Sequence, residues 1–227
     1  MGVLIKGDIF KGKLFFCSFS GGKDSCLALY QIICQGAKPG YLLTMLDENG
    51  EKSRSHGIPK ILIEEQAKSL NIPVIFRQAT WNNYEKEFIS ALREIKQKGV
   101  NIGVFGDIDI QTHRDWVKRV CSTCEVKAYH PLWQKNREEL LDEFIKLSFK
   151  AKIIVLKSEN LDKSFLGREI DYKTVADLKA AGVDASGENG EYHTIVTNGP
   201  IFSSEIPVKE IKRIDHQGYW FLTLGVG

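Results

Sequence analysis

The chain has 227 residues, 43% of them hydrophobic and 26% charged, with 31 basic and 29 acidic side chains for a net charge of +2. That length carries one large domain or two small ones around a real core, and no apolar run approaches the ~18 residues needed to cross a bilayer. Up to position 130 there are 18 basic against 14 acidic residues, and beyond it 13 against 15; this mild asymmetry suits a polyanionic substrate but falls far short of the basic face that duplex nucleic acid demands.

The first residues, MGVLIKGDIF, have no signal-peptide layout, and Lys6 stands where an N-myristoylation site needs Ser or Thr. KLFFCSFS then predicts a strand and KDSCLALYQIICQG a helix closed by Gly36. GYLLTML is a second strand, IPKILIEEQAKSLN a second helix and IPVIFRQA a third strand. In NNYEKEFISALREIKQKG, Asn82 and Glu85 form a capping-box pattern, while Tyr84, Phe88, Leu92 and Ile95 fall on one helical face. VNIGVFGDI is a fourth strand and THRDWVKRVCSTC a fourth helix. Such alternation predicts a doubly wound α/β domain, a parallel sheet covered by helices on both faces. Ligands of these sheets bind outside the carboxyl ends of the strands, where SGGKDS, LDENGEKSRSHG, RQATWNN and GDIDIQTHRD all fall.

After YHPLW the pattern changes. NREELLDEFIKLSFKA is a helix with Asn136 and Glu139 in capping-box positions. KIIVLKS, the short helix DYKTVADLKAAG, the polar SGENGEYHT, and the strand-like GPIFSSEIPVKEIKRI and GYWFLTLGV follow. This reads as a smaller α+β domain, so the expected division is 1–130 and 131–227. A homodimer through KIIVLKS and the C-terminal strands is compatible with the sequence, though no feature requires one. Cys17, Cys26, Cys34, Cys121 and Cys124 are an odd number scattered through regular segments, which argues against a secreted disulfide framework and for a cytoplasmic setting.

The segment SGGKDS, Ser20–Ser25, carries the clearest chemistry. A strand, a Gly-Gly turn and a helix N-terminus aim free backbone N–H groups and the positive end of a helix dipole at one spot. Gly21 and Gly22 let the backbone approach a ligand, Lys23 adds a mobile charge, and Ser20 and Ser25 add hydroxyls. A Walker A loop needs a glycine that is missing here before Gly22, and the G-x-G-x-x-G fingerprint is also absent.

SGGKDS resembles the PP-loop of the ATP pyrophosphatase superfamily, S-G-G-x-D-S directly after the first strand, at every position. The resemblance implies a PP-loop (HUP-like) nucleotide-binding domain. Its loop holds the β and γ phosphates of ATP while an acceptor oxygen attacks the α phosphate, releasing pyrophosphate, and a nitrogen or sulfur nucleophile then displaces AMP. It also implies that Asp24 helps to organise Mg²⁺ and that Lys23 stabilises charge on the phosphates.

GDIDIQTHRDWVKRVC with PLW and REELLDEFI, then GENGEYHT, and SRSHGIP with EEQA resemble the diphthine–ammonia ligase family of PP-loop ATPases over nearly the whole chain. That family's type activity is ATP-dependent amidation of diphthine with ammonium: a carboxylate is adenylylated and ammonia then attacks it. Its C-terminal domain carries a G-E-x-G-E-[YF] segment that faces the ATP cleft. The diphthamide-forming branch reads closer to EGGEYET, whereas this chain has ENGEYHT with Asn189 and His193. The form GENGE[FY]HT…GPIF resembles bacterial relatives linked to cobalamin salvage, so the acceptor stays open at this point.

Glu188 and Glu191 form an acidic turn able to bind ammonium, take its proton or assist Mg²⁺; a merely solvated turn is the plainer alternative. Tyr192 and His193 lead from it into the next strand. Asp107 lies at the ligand edge of strand four, with His113 and Arg114 just beyond, and an arginine there suits a carboxylate or phosphate. His56, in the loop after strand two, is a candidate for the adenine or substrate side. Trp116 and Trp133 are expected in packing. Cys121 and Cys124 raise tRNA thiolation as a rival, but a lone C-x-x-C within a helix-like run is a weak metal or cluster signal. A non-catalytic nucleotide sensor is a further rival, and it leaves the acidic turn without a purpose.

Overall fold

The computed structural model describes residues 9–227; residues 1–8, on which most of the N-terminal reading rests, lie outside the described residues. The chain forms two compact units that do not follow chain order.

Among the described residues, the first unit contains 9–19, Asp24–Gly50 and Ile72–Gln134. Its strands are β1 (Leu14–Ser18), β2 (Lys38–Leu46), β3 (Val74–Gln78), β4 (Ile102–Val104) and β5 (Lys127–Tyr129), paired in the order β3-β2-β1-β4-β5. Every pairing is parallel, with Ser18 beside Leu43 and Cys17 beside Val104. Parallel neighbours need crossover connections, and helices serve that purpose. Here they include α1 (Lys23–Cys34), α3 (Tyr84–Gln97) and α4 (Gln111–Thr123). Because β1 is central, its Phe15, Phe16 and Cys17 are fully buried, which explains an apolar run in place of alternation.

On α3, Phe88, Leu92 and Ile95 are buried together with Phe16, Leu43 and, from α4, Val117, Val120 and Cys121. Tyr84 packs at the edge of that cluster, as the one-face pattern predicts. The capping box expected of Asn82 does not form. The cap is Asn83, and its Oδ1 accepts from the backbone N–H and hydroxyl of Thr80 instead of from the helix. Glu85 is thereby left to α4, accepting from Trp116 Nε1 and from Arg119.

The second unit contains Ser20–Lys23, Glu51–Asn71 and Lys135–Gly227. Its strands β6 (Lys150–Lys157), β7 (Tyr192–Asn198), β8 (Val208–His216) and β9 (Tyr219–Val226) form an antiparallel sheet ordered β7-β6-β9-β8. β8 and β9 are joined through Gln217 and Gly218, both at positive φ, as a tight hairpin requires. Helices α2 (Lys60–Leu70), α5 (Arg137–Lys146) and α6 (Tyr172–Ala180) complete the unit. Asn136 caps α5 as the sequence indicates, its Oδ1 accepting from Glu138 N (2.9 Å) and Glu139 N (3.2 Å). Among the described residues, no helix is long and apolar enough to cross a membrane.

Candidate active site

The loop Ser20–Lys23 is fixed by partners from distant parts of the second unit. Gly21 takes φ +79°, and a Cβ there would sit 2.5 Å from Gln66 Oε1. A Cβ on Gly22 would lie 2.2 Å from His56 Cε1 and 3.1 Å from Thr194 O, so neither position admits a side chain without displacing its neighbour. Gln66, fully buried on α2, donates through Nε2 to Gly21 O (3.0 Å) and Val196 O (2.6 Å). The backbone N–H of Val196 on β7 also donates to Gly21 O, at 2.9 Å. Lys23 N donates to Thr194 Oγ1 (3.1 Å), and Gly22 N donates to Ser20 Oγ (3.3 Å).

The Lys23 side chain is buried with Glu188, its Nζ 3.5 Å from Glu188 Oε1. His56 Nδ1 is 2.9 Å from Thr194 O. A carbonyl only accepts, so Nδ1 carries the hydrogen and Nε2 keeps its lone pair. Burial pushes His56 down to about 4, and the Lys23 charge adds to that, against the hydrogen bond to Thr194. Its ring lies 4.8 Å from that of His193.

In GENGEYHT the two glutamates diverge. Glu188 reaches Lys23. Glu191, nearly fully buried, accepts from Asp184 N (3.2 Å), Asn189 N (3.0 Å) and Asn189 Nδ2 (3.1 Å), so its carboxylate ties the turn together. Asp184 does the same from the other side, accepting from Ser186 N (3.0 Å) and Glu188 N (3.3 Å) and pairing with Arg137 (2.6 Å). Tyr192 is buried, and its hydroxyl donates to Ala185 O at 2.6 Å.

A second group of polar residues belongs to the first unit. The chain leaves β4 through Gly106, where a Cβ would lie 3.0 Å from the backbone of Asp24 and 3.1 Å from Ser25 N. This close pass sets Asp107 beside the first turn of α1. Burial raises the Asp107 carboxyl, His113 opposes the rise, and the neighbouring Asp24 adds to it. Asp107 Oδ1 is 4.0 Å from His113 Nδ1, and Oδ2 is 3.5 Å from His130 Nε2. Burial and the charges of Arg114 and Lys118 hold His130 neutral down to about 4. The Arg114 guanidinium stacks on Trp133, 4.2 Å from the ring centroid.

Trp116 packs on Phe88 and Tyr84, as expected of a core residue. Cys17 and Cys26 are buried, and burial raises both thiols. Cys121 is buried on α4 and pushed up to about 12 by that burial. Among the described residues, no group of three or more His, Cys, Asp or Glu side chains is placed to hold a metal ion.

The sequence points to His56, Lys23, Glu188 and Asp107. It shows Gln66 and Thr194, which lock the loop, only as letters of EEQA and GENGEYHT, because one amide or hydroxyl on a helix or strand does not by itself declare a role. His130 and Trp133 stand inside YHPLW, visible in the sequence as part of a motif but without a role.

A parallel sheet of this order, with SGGKDS closing its central strand, defines an α/β protein of the PP-loop type. The diphthamide synthase N-terminal domain matches residues 15–128, and the diphthamide synthase C-terminal domain matches 136–226. The chain is 28% identical over 225 residues to the diphthine–ammonia ligase of Mus musculus and 27% identical over 226 residues to that of Homo sapiens, covering 87% of this chain and 83% of each relative. To the diphthine–ammonia ligase of Schizosaccharomyces pombe it is 26% identical over 219 residues, covering 87% of this chain and 36% of that protein. The chain belongs to the diphthamide synthase family.

Proposed function

We propose that this protein is an ATP-dependent ligase that adenylylates a carboxylate and forms an amide with ammonia, releasing pyrophosphate and AMP, with diphthine as the acceptor its relatives' names favour. The observation that carries the reading is the SGGKDS loop. It has two glycines that admit no side chain, and its lysine is backed by a glutamate of the GENGE turn, in a chain of the diphthamide synthase family.

Ser20, Gly21, Gly22 and Lys23, followed in the chain by Asp24 and Ser25, hold the phosphates, and Asp107 serves the nucleotide at the end of β4. A carboxylate oxygen of the acceptor attacks the α phosphorus, and the bond to the bridging oxygen breaks with pyrophosphate as leaving group. Lys23 stabilises the charge that develops on the departing phosphates. Ammonia then attacks the acyl carbon, AMP leaves, and one proton is released. Glu188 suits capture of that proton or of the ammonium, while Glu191 keeps the turn in shape. His56, His113, Arg114, Asn189, Tyr192 and His193 stand on the acceptor side, Tyr192 by supporting the turn through Ala185.

Mg²⁺ is a partner of ATP in this reading. The neighbouring carboxylates of Asp24 and Asp107 fit an ion that takes one or two protein carboxylates and completes its shell with phosphate and water. When bound, it would neutralise phosphate charge.

The division into an ATP-binding part, 1–130, and a substrate part, 131–227, is supported by the two separate family matches. Action in the cytoplasm is supported by five free cysteines. His193, in place of the glutamate of the diphthamide-forming branch, keeps amide chemistry of the cobalamin-salvage kind as the second reading.

The test is incubation with ATP, Mg²⁺, ammonium and either diphthine-bearing elongation factor 2 or a corrinoid carboxylic acid. AMP and pyrophosphate formed with the first acceptor support the main reading, and with the second acceptor alone the other one. ADP and phosphate would overturn both.

A further inference from the structure

Three side-chain N–H positions in the first unit are buried without a partner: Arg114 Nε, His130 Nε2 and Trp133 Nε1. Native chains satisfy nearly all such groups, so three in one neighbourhood call for a missing acceptor. They do share a neighbourhood. Arg114 stacks 4.2 Å above the Trp133 ring, and the His130 and Trp133 ring centroids are 6.2 Å apart, nearly edge-on. His130 and Trp133 are held in step by a turn in which Trp133 N donates to His130 O at 3.2 Å. The His130 side chain is only 4% exposed, which makes it a buried polar group in a prepared position. Among the described residues, Arg114 pairs with no carboxylate.

The charge of this group selects its ligand. His130 is held neutral by its burial and by Arg114 and Lys118, so the positive charge comes from the Arg114 guanidinium. Asp107 Oδ2, 3.5 Å from His130 Nε2, is too far for a normal hydrogen bond yet close enough to favour the tautomer with its hydrogen on Nε2. The site therefore offers several N–H donors, one full positive charge and an adjacent carboxylate. Beside the Asp107 carboxylate and with a single compensating guanidinium, a dianionic phosphate is disfavoured more than a monoanion. A planar monoanion with two oxygens is matched by the guanidinium fork.

We infer that Arg114, Trp133 and His130 form the subsite that binds the acceptor's carboxylate. The guanidinium takes the two oxygens, and the Trp133 and His130 N–H groups complete them. This assignment rests on the ligase reading for the identity of the carboxylate, but its test does not use turnover. The protein is labelled with ¹⁵N-tryptophan, the Trp133 indole resonance is identified by its absence in Trp133→Phe, and acetate is titrated against sodium phosphate.

The expected result is a saturable downfield shift of the Trp133 indole proton with acetate, at a dissociation constant on the order of 10 mM or tighter. Arg114→Gln should weaken acetate binding by about tenfold or more, and Arg114→Lys by less, because it keeps the charge and loses only the fork. No saturable shift in the wild-type protein would overturn the inference, as would equal affinity in Arg114→Gln. Tighter binding of phosphate than of acetate would overturn the carboxylate assignment. Failure to form AMP in the ligase assay with a saturable acetate shift would overturn the ligase reading and leave the anion site standing.

Discussion

Two buried imidazoles give this protein a specific weakness in acid. His56 is held neutral down to about 4 in the native state, against an ordinary value of 6.5. Between those values the unfolded chain binds the proton and the native chain does not, so the stability contributed by a neutral His56 is complete above 6.5 and lost as pH falls toward 4. Between about pH 7 and about pH 5 the loss comes to about 2 kcal/mol for this one residue. His130, also held neutral down to about 4, adds a loss of similar size. His56 faces the Lys23 ammonium, the Thr194 carbonyl and, at 4.8 Å, the His193 ring; the first two do not titrate in that range, and comparing both proteins in a His193→Gln background removes the third.

The perturbation is His56→Gln, which keeps an N–H for Thr194 O and removes the titration. Urea unfolding of wild type and variant, followed by tryptophan fluorescence at about pH 7 and about pH 5, should show the variant losing about 2 kcal/mol less than the wild type. Other titrating groups, including the raised carboxyl of Asp107, act alike in both proteins and cancel in the comparison. A wild type and variant that lose the same stability would refute the reasoning. So would an NMR titration in which the His56 ring responds near 6.5.

Lys23→Met should lower turnover by about 100- to 1,000-fold with the fold retained, read from pyrophosphate release and circular dichroism; a rate close to wild type would remove Lys23 from the chemistry. Glu188→Gln and Glu191→Gln should separate. The first loses turnover with little change in melting temperature, and the second loses about 1–3 kcal/mol of stability because three N–H donors meet an uncharged, partly mismatched amide. Gly22→Ala places a methyl 2.2 Å from His56 Cε1 and should cost about 1–3 kcal/mol, together with most ATP affinity; unchanged calorimetric binding would contradict the crowding at the loop. Thiol titration near neutral pH should label the exposed Cys34 fast, while Cys121, pushed up to about 12, stays slow; rapid labelling of Cys121 would reopen the thiolation rival.

The parallel sheet was readable because strand and helix periods alternate cleanly, and the apolar face of α3, with Phe88, Leu92 and Ile95, is buried. The capping of α3 was not, because Asn82 and Asn83 are equivalent as letters. The choice between them was made by Thr80, whose N–H and hydroxyl claim the Asn83 side chain. The association of Glu51–Asn71 with the second unit also has no local signal. It depends on Gln66 bonding Gly21 and Val196, residues 45 and 130 positions away, and on the Ser69 hydroxyl bonding Ser204 O at 2.6 Å. Contacts at such separation leave no periodic trace.

The acidic turn makes the same distinction within a single motif. Glu188 and Glu191 carry the same side chain three residues apart, and both read as candidate bases. Their roles part because Gly187 and Gly190, at φ +75° and +82°, fold the turn back so that one carboxylate meets the backbone N–H groups of Asp184 and Asn189 while the other is delivered to Lys23. A carboxylate that accepts from three N–H groups has few lone pairs left for an ammonium ion. Glu188 is paired with Lys23 instead, Nζ to Oε1 at 3.5 Å. In the proposed ligase reaction, movement of Lys23 to the ATP phosphates would open its ion pair with Glu188, which would couple nucleotide binding to the step in which ammonia loses a proton. Replacing Lys23 should therefore alter the pH profile of amide formation as well as its rate, an effect that a purely electrostatic role at the phosphates would not produce.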